Sequence, residues 1–556
     1  MATIYTNGKI YTQNAAKDCV DTVVVDNGRF VYVGKREGYD AAPADCLVDL
    51  QGACVLPGLI DSHQHLSFPA TSNGPHANKL AVIMTDDIDD AIAQIKSFVE
   101  AHPDYEVYKI QAGLKDNWGR HLTKDDLDPI CPDKPLMVHD SEAHAWTGNT
   151  KLFEKIGITK DTPDPSPGFS TYEHDSQGEL TGYATEMTHF DAHRAVDTLP
   201  VEDMVDNLKK LVDYNLALGI TGCYDAGNVG IKSDEEVFGA IKQLDDAGVL
   251  KQRIGISAIA HLPVLLSGMV DRHKKYQELY EGGNITVDTI KLFIDGTCHE
   301  FTGYVLEPYK KTGSCGGRIM NDDQLYDALA AANDAGFNVH IHCMGDAGMR
   351  MILDALERMD NAGIKRTTKT IITHCHLVHP DDMARIPALG VYLNLTPHWI
   401  GSLEGAPDPS YFWRAGYKNG QYRTMWDTGV NVAFACDMPG LPWLSEDSAA
   451  LWNPFIGWQT GVTRLCVGDT DSTHVHLPEE RMTIDQMIEG YTIRGARQMG
   501  WEDECGSIEV GKSADMVVLD QNPYEIPIEE VHAITPRQTF FKGELVYQSE
   551  HVPVEK

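Results

Sequence analysis

The sequence predicts an α/β protein: a (β/α)8 TIM barrel with a small composite β-sandwich domain made from both termini and an insertion domain after the first barrel strand. Three observations predict this fold. Short strands separated by turns occupy both ends of the chain, apolar strands alternate with amphipathic helices between them, and a long segment interrupts that alternation early. With 556 residues, the chain is long enough for a barrel with accessory domains.

Both ends of the chain have the pattern of antiparallel strands. Asn7-Gly8 and Asn27-Gly28 separate alternating apolar runs near the amino terminus, and such pairs favour tight hairpin turns. The apolar run 514–519 and the Lys542-Gly543 turn repeat this pattern near the carboxyl terminus. Because isolated hairpins are only marginally stable, we expect residues 1–57 and 495–556 to form one β-sandwich domain.

The central part of the chain alternates strands with helices, as βαβ units do. Eight apolar segments that end in polar residues are the expected parallel strands: 59–61, 221–225, 254–260, 289–294, 338–342, 370–373, 391–395 and 430–435. Eight such units are typical of a TIM barrel, expected here over 58–70 and 199–494.

The segment 71–198 is too long for a single crossover between barrel strands. It also carries a proline-rich stretch, 161–168. We therefore expect an insertion domain that covers the mouth of the active site.

Composition excludes several classes of function. The chain has 46 Lys and Arg against 82 Asp and Glu, a net charge of −36, which disfavours binding to nucleic acids and to anionic membranes. It shows neither a secretory signal nor an apolar run long enough to span a bilayer, and its 12 cysteines lack CxxC spacing. We expect a cytoplasmic protein that binds a small-molecule substrate, and a homodimer by analogy with other barrels.

The sharpest chemical signal is His63-Gln64-His65, which follows an apolar strand preceded by Pro57-Gly58. Residues two apart on a strand project from the same face, so His63 and His65 can bring two imidazoles to one point. This pattern at the end of a buried strand predicts a metal site.

Further metal-ligand residues end later strands, namely His342, His374 and Asp437. In a barrel the carboxyl ends of the strands meet at one face, so ligands far apart in sequence can converge. Imidazole and carboxylate together suit a divalent ion such as Zn²⁺, with one position left open for water.

Several motifs together resemble the amidohydrolase superfamily, and within it the YtcJ-like, amidohydrolase type 3 branch. They are Pro57-Gly-Leu-Ile-Asp-Ser-His-Gln-His65, Lys291 to Gly296, His342 with Gly345-Asp346, His374, Asp437-Met438-Pro439, and the segment 506–515. The resemblance covers nearly the whole chain. It implies a metal-dependent barrel that hydrolyses carbon–nitrogen bonds other than peptide bonds, in amides, cyclic amides or N-acyl compounds.

The resemblance also implies roles for single residues. His63 and His65 would hold one metal, and His342 and His374 a second. Asp437 would lie beside the attacking water, take its proton and return it to the leaving nitrogen.

Lys291 lies in the fourth expected strand, 289–294, and resembles a lysine at the end of this strand that is carboxylated by carbon dioxide and bridges two metals in binuclear relatives. Burial favours the neutral amine that this reaction needs. The alternative is an ordinary ion pair, for example with Asp295.

The resemblance places further residues at the expected pocket. His144 would contact substrate and, with His374, stabilise the oxyanion. Glu186 matches a family motif without an assigned role. The remaining expected substrate contacts are Trp118, Arg120, Trp146 and His398.

Two other interpretations remain open at this point. A single-metal site would make the protein a deaminase or a decarboxylase on the same scaffold, without a modified Lys291. A non-catalytic ligand-binding member is the third alternative. The substrate itself leaves no spacing in the sequence that could be decoded.

Overall fold

The computed structural model describes residues 2–71, 76, 78–112, 118–140, 144–167, 169–228, 232–260, 263–298, 300–401, 420–437 and 452–549. The pair Met438-Pro439, part of the resemblance described above, lies outside these residues. Within them, no helix has the length and apolar character that crossing a bilayer requires.

The strands follow the chain from end to end. In order they are β1 Thr3–Thr6, β2 Lys9–Tyr11, β3 Cys19–Val20, β4 Thr22–Asp26, β5 Arg29–Gly34, β6 Cys46–Asp49, β7 Cys54–Pro57, β8 Leu59–Gln64, β9 Ala81–Ile83, β10 Tyr108–Ala112, β11 Leu136–His139, β12 Ala145–Gly148, β13 Tyr172–His174, β14 Leu180–Thr185, β15 Ile220–Asp225, β16 Arg253–Ile256, β17 Ile259–Ala260, β18 Ile285–Thr286, β19 Thr289–Phe293, β20 Asn338–Cys343, β21 Thr370–His374, β22 Tyr392–Leu395, β23 Val432–Phe434, β24 Met516–Leu519, β25 Pro536–Phe541 and β26 Glu544–Gln548.

Helices connect most of the central strands. They are α1 Ser67–Ala70, α2 Ile88–Ala101, α3 Lys124–Leu127, α4 Thr150–Ile156, α5 His189–Ala195, α6 Val201–Ala217, α7 Asp234–Asp246, α8 Pro263–Leu266, α9 Met269–Tyr280, α10 Asp322–Ala335, α11 Asp346–Asn361, α12 Pro380–Met383, α13 Arg385–Ala388, α14 Tyr422–Asp427, α15 Pro454–Thr463, α16 Ile484–Gly490 and α17 Ile493–Met499. Short 3-10 helices span Arg36–Gly38, Glu186–Thr188, Pro397–Ile400, Ser472–His474, Pro478–Glu480 and Ile528–Ala533.

Several helices begin where the sequence supplies a cap. Ser233 and Glu236 form a reciprocal capping box at α7, and Asn321 and Gln324 do so at α10. These side chains satisfy backbone N–H groups that the first helical turn leaves without partners.

Strands from both ends of the chain share one six-stranded sheet, in the order β26-β25-β24-β7-β2-β3. A second sheet, β5-β4-β1-β6, lies within the first fifty residues. Their apolar side chains share a buried cluster that includes Tyr5, Phe30, Met516 and Phe540. The rings of Tyr5 and Phe540 meet edge to face at 5.2 Å, so the two termini are held together by a common core.

The central strands form two parallel sheets. One has the order β18-β16-β15-β8 and the other β17-β19-β20-β21-β22-β23. Each of the eight strands expected from the sequence coincides with strands of these sheets, although 254–260 is divided into β16 and β17.

The two parallel sheets approach each other at both edges. At one edge the chain passes directly from β16 into β17, and Lys291 N donates to Ala258 O across the break. At the other edge Asp437 N donates to His63 O at 3.0 Å, which joins the residues after β23 to β8. The strands that open and close the series therefore lie side by side.

The segment after α1 builds a separate mixed sheet, β13-β14-β12-β11-β10-β9. Its strands β9, β10 and β11 are parallel, and the others pair antiparallel. Apolar residues of α2 and of this sheet form their own buried cluster.

Gly58 lies between β7 of the terminal sheet and β8 of the parallel sheet. Its N–H donates to Asp515 O at 3.0 Å, and a Cβ at this position would lie 2.1 Å from Thr221 Oγ1 on β15. The backbone at Gly58 therefore approaches Thr221 too closely for any side chain. This close packing explains why a glycine follows Pro57.

Gly58→Ala should lower the stability of the protein by about 1–3 kcal/mol, because the added methyl group overpacks the β8–β15 contact. The matched control is Gly239→Ala in α7, where a Cβ meets no atom within 4 Å. That control should be neutral or stabilising by about 0.5–1 kcal/mol. Urea unfolding of both variants measures the difference, and an unchanged midpoint for Gly58→Ala would refute the packing argument.

Candidate metal centre

A buried carboxylate and three imidazoles meet where the parallel strands end. Asp437 Oδ1 lies 3.2 Å from His63 Nε2 and 3.3 Å from His65 Nε2, and Asp437 Oδ2 lies 3.4 Å from His374 Nδ1. His63 and His65 end β8, His374 ends β21, and Asp437 follows β23. The structure thus brings together residues separated by more than 300 positions.

The donor atoms fit a metal ion. His63, His374 and Asp437 each offer one ligand atom, and these three atoms lie within 4.8 Å of one another. Among the described residues, no other three His, Cys, Asp or Glu side chains are grouped in this way. His374 Nδ1 is buried and has no hydrogen-bond partner in the described part of the chain. Imidazole and carboxylate donors are those that zinc and similar divalent ions prefer.

His65 gives a second argument for a cation. Its Nδ1 lies 3.2 Å from Gly227 O, and because a carbonyl oxygen only accepts, Nδ1 carries the proton of this bond. In the neutral ring Nε2 then holds a lone pair that faces the Asp437 carboxylate. Two acceptors at 3.3 Å repel each other unless a proton or a metal cation lies between them.

The backbone is strained at this cluster. His374, Cys375 and Asp437 have φ angles of +73°, +48° and +48°, in the left-handed region that non-glycine residues rarely adopt. Such strain costs about 1–3 kcal/mol per residue and is concentrated at functional sites. The fold therefore holds these side chains in place at the expense of local stability.

His340 holds the ring of His63, a role that the sequence interpretation missed. His63 Nδ1 lies 2.9 Å from His340 Nε2 and 3.1 Å from Thr373 Oγ1, which directs Nε2 towards Asp437. His340 stacks on Tyr224 with ring centroids 4.8 Å apart. The alternation His340-Ile341-His342 on β20 places both histidines on one face and is the signal that could have identified His340.

His342 lies beside this cluster. Its ring centroid is 4.6 Å from that of His374, its other face stacks on Phe293, and its Nδ1 is 3.5 Å from Asp295 Oδ1. The sequence comparison paired His342 with His374 as ligands of a second metal. The structure brings their rings together, but it groups the donor atom of His374 with His63 and Asp437.

Lys291 is fully buried on β19, with its Nζ 3.5 Å from His63 Nε2 and 4.9 Å from the centroid of Phe293. It forms no ion pair within the described residues. The suggested partner, Asp295, instead accepts hydrogen bonds from the backbone N–H groups of Tyr304, Met344 and Gly345. The ordinary ion pair considered from the sequence is therefore not formed.

Burial sets the protonation states of the cluster. It lowers the pKa of His63 to about 3 and that of Lys291 to about 7, and it takes the pKa values of His342 and His374 well below their usual range. Burial alone would raise the pKa of Asp437, but hydrogen bonds and attraction from His63, His65 and His374 hold it below its usual value. Neutral imidazoles and an ionised carboxylate are the forms that bind metals.

His144 and Glu186 form a hydrogen-bonded pair at the edge of the cluster. His144 Nδ1 lies 2.7 Å from Glu186 Oε2, and the His144 ring is 6.5 Å from that of His342. Glu186 is fully buried, has a φ of +55° and accepts a second hydrogen bond from Thr302 at 2.5 Å. These contacts give Glu186 a positioning role for His144.

The other expected substrate contacts lie elsewhere. Trp146 is buried against Phe153 and donates to Thr188, so it packs the inserted sheet. Trp118 donates to Thr85 O. Neither indole has a described contact with the histidine cluster.

Arg120 and His398 are also engaged by other groups. Arg120 is held by both carboxylate oxygens of Asp126 at 2.7 and 2.8 Å, and His398 Nε2 lies 3.0 Å from Asn453 O. Trp399, next to His398, stacks on His374 at 5.2 Å and is 38% exposed. The indole of Trp399, and not the ring of His398, therefore borders the cluster.

Comparison with curated proteins gives matches along most of the chain. The chain is 30% identical over 406 residues to the exoenzymes regulatory protein AepA of Pectobacterium carotovorum subsp. carotovorum, covering 71% of this chain and 85% of that protein. It is 28% identical to the N-substituted formamide deformylase of Arthrobacter pascens over 98% of this chain and 97% of that enzyme. It is 25% identical to the amidohydrolase YtcJ of Bacillus subtilis (strain 168) over 99% and 100% of the two chains.

Comparison with solved structures gives a match over most of the fold described above. A metal-dependent hydrolase from Pyrococcus horikoshii OT3 superposes with a TM-score of 0.70 at 22% identity, covering 95% of this chain and 99% of that chain. The sequence profile described as the amidohydrolase family matches residues 47–547. The chain therefore belongs to the amidohydrolase family, in its YtcJ-like branch, and is an amidohydrolase that acts on carbon–nitrogen bonds.

Proposed function

We propose that this protein is a metal-dependent hydrolase of non-peptide carbon–nitrogen bonds in small N-acyl compounds, amides or cyclic amides. One observation carries the proposal: the buried Asp437 carboxylate lies between the ring nitrogens of His63, His65 and His374 at 3.2–3.4 Å. This set supplies metal ligands and a general base at one point.

His63, His65, His374 and Asp437 would hold the divalent ion, and their donor atoms favour Zn²⁺. Such an ion, when bound, polarises a carbonyl group and makes water a nucleophile at neutral pH.

A second ion would use His342 together with a carboxylated Lys291 as the bridge. Support comes from the position of Lys291, which is fully buried, forms no ion pair within the described residues and lies 3.5 Å from His63 Nε2. A carbamate on this amine would add the anionic oxygens that a bridge between two cations needs.

Asp437 is the proposed general base. Its carboxylate takes a proton from the attacking water as a new carbon–oxygen bond forms, and it returns that proton to the leaving nitrogen as the carbon–nitrogen bond breaks. Imidazoles surround it and keep it ionised, which suits the first of these steps.

His144 is the proposed partner of the developing oxyanion. Because Glu186 accepts at Nδ1, Nε2 of His144 donates towards an oxyanion in the doubly protonated form of the ring, which the Glu186 carboxylate stabilises. Glu186 fixes the tautomer and the direction of the ring, as carboxylates do for catalytic histidines. Trp399, stacked on His374 and partly exposed, offers an apolar surface for the substrate.

The name of one relative narrows the substrate class. Because N-substituted formamide deformylase aligns over nearly the whole chain, N-acyl amines with a small acyl group are the first substrates to test.

The architecture that supports this chemistry is proposed to be a closed (β/α)8 barrel over 58–70 and 199–494. The contacts at both edges of the two parallel sheets support closure. The composite sandwich of 1–57 and 495–556 and the inserted unit 71–198 complete the proposed division.

A single-metal deaminase or decarboxylase is the second candidate. The observation in its favour is that one group of three ligand residues, His63, His374 and Asp437, gathers within the described residues. The number of metal ions per chain separates the two candidates.

Asp437→Asn should lower kcat about 10²–10⁴-fold, because the amide cannot accept the proton of the attacking water. The measurement is turnover of N-substituted formamides, N-acetyl amines and cyclic amides by the metal-loaded protein. The control is Asp427→Asn, an exposed carboxylate that pairs with Arg423 on α14 and should leave kcat unchanged. Wild-type turnover by Asp437→Asn would exclude Asp437 as the proton carrier.

His374→Asn should lose bound metal, because asparagine tolerates the left-handed backbone at this position but replaces the imidazole donor. Elemental analysis after dialysis measures the ions per chain, with the exposed His174→Asn as control. The binuclear proposal predicts two ions in the wild type and one in Lys291→Met. One ion in both proteins would favour the second candidate, and full retention of metal by His374→Asn would contradict the ligand set.

A further inference from the structure

A second group of buried basic side chains lies outside the metal centre, and no step proposed above uses it. It consists of Lys109 on β10, His139 on β11 and His193 on α5, named the basic cluster below. Their exposed fractions are 9%, 2% and 1%. Lysine is almost never buried to this degree unless it is paired.

The three side chains surround the ring of Phe68. Lys109 Nζ lies 5.5 Å from the centroid of that ring, and the rings of His193 and His139 lie 5.9 and 6.4 Å from it. The two imidazoles are 5.1 Å apart. Three elements of the inserted segment therefore direct nitrogen atoms to one place beside α1.

Most of these nitrogens have no partner. Lys109 Nζ, His139 Nε2 and both ring nitrogens of His193 are buried without a hydrogen bond in the described part of the chain. A buried polar group without a hydrogen bond is energetically costly, and native proteins satisfy nearly all such groups. Four such atoms in one place indicate that a polar group is bound there in the working protein.

The charges facing the cluster determine what that group is. Asp197 is the carboxylate that acts on Lys109, and it is itself paired with Lys232 at 2.5 Å. On α5, His189 contributes another imidazole, whose Nδ1 donates a hydrogen bond to Glu186 O. On β11, His139 Nδ1 donates a hydrogen bond to Asp140 O. Within the described residues, the cluster thus has donors and basic nitrogens but no hydrogen bond to a carboxylate.

A metal ion suits the cluster less well. Within the described residues, its two histidines belong to no group of three His, Cys, Asp or Glu ligand atoms within 4.8 Å, whereas His63, His374 and Asp437 form one. A carboxylate matches better, because its two oxygens can accept from Lys109 and from a ring N–H of His193 at once.

Two short segments of the chain connect the cluster with residues of the metal centre or its edge. Phe68 follows the ligand His65 by three residues, in the short helix α1. His189, whose ring is 5.5 Å from that of His193, follows Glu186 by three residues, and Glu186 holds His144. A molecule bound at the metal centre could extend towards the basic cluster along either of these segments.

We propose that the basic cluster binds a carboxylate of the substrate, so that the preferred substrates are N-acyl compounds with a free carboxylate. This inference rests on the proposed function, because it assigns the substrate class of the same site. Lys109 carries the charge that recognises the anion, and His193 donates a further hydrogen bond to it, while Nε2 of His139 can accept from Lys109.

The first test compares two substrate series of matched length in the metal-loaded protein: N-acyl ω-amino acids and the N-acyl alkylamines that lack the carboxylate. Wild-type kcat/KM should be at least tenfold higher for the acids at the chain length that spans the two sites. Lys109→Met should lower kcat/KM for the acids at least tenfold and so remove this preference. Lys96→Met, an exposed lysine of α2 in the same inserted segment, should behave as wild type.

The second test measures binding without turnover. Calorimetry with acetate should give an affinity for the wild type that falls at least tenfold in Lys109→Met and in His193→Phe, a second variant that keeps a ring in the core. Binding should weaken between pH 6 and pH 8, because burial lowers the pKa of Lys109 to about 7 and its charge is lost as the pH rises. Chloride and phosphate in the same assay show whether recognition is specific for carboxylate.

The outcomes separate this inference from the proposed function. Equal rates for both substrate series, acetate affinity unchanged by Lys109→Met, or chloride binding as tightly as acetate would each overturn the carboxylate site. Absence of turnover for every amide in either series would overturn the hydrolase proposal instead, and the acetate measurement would still decide the role of the cluster.

Discussion

The burial of one carboxylate among several imidazoles is the constraint on which this structure depends. Asp437 is 8% exposed, and the nearest groups are the ring nitrogens of His63, His65 and His374. Removing a carboxylate from water costs several kcal/mol unless charge or hydrogen bonds compensate for it. A cation held between these groups would provide that compensation, which is why the same arrangement suits both folding and catalysis.

The surrounding structure stabilises an arrangement that is locally unfavourable. His374 and Asp437 have left-handed backbones, and the ring of His63 is fixed by His340 and Thr373. Such positions persist only where the rest of the fold determines them strongly. The parallel strands supply that support, since each ligand lies at the end of a buried strand whose other residues are part of the core.

Much of this could be predicted from the sequence, because strand periodicity and turn residues are local signals. The eight central strands, the terminal strands and the proposed ligands His63, His65, His374 and Asp437 follow from such patterns. The contacts of Trp146, Trp118 and Arg120 could not be predicted, since their directions depend on how the inserted segment packs. His340 and Glu186 act through other side chains, and the basic cluster joins three elements that share no motif.

The central claim is that a divalent ion occupies the point where His63, His374 and Asp437 meet. Anomalous X-ray diffraction from crystals of the metal-loaded protein, recorded on both sides of the absorption edge of the metal, tests it most directly. The account predicts an anomalous peak within coordination distance of all three residues. A fully loaded crystal with no peak there, or with its peaks only at surface carboxylates, would contradict the account.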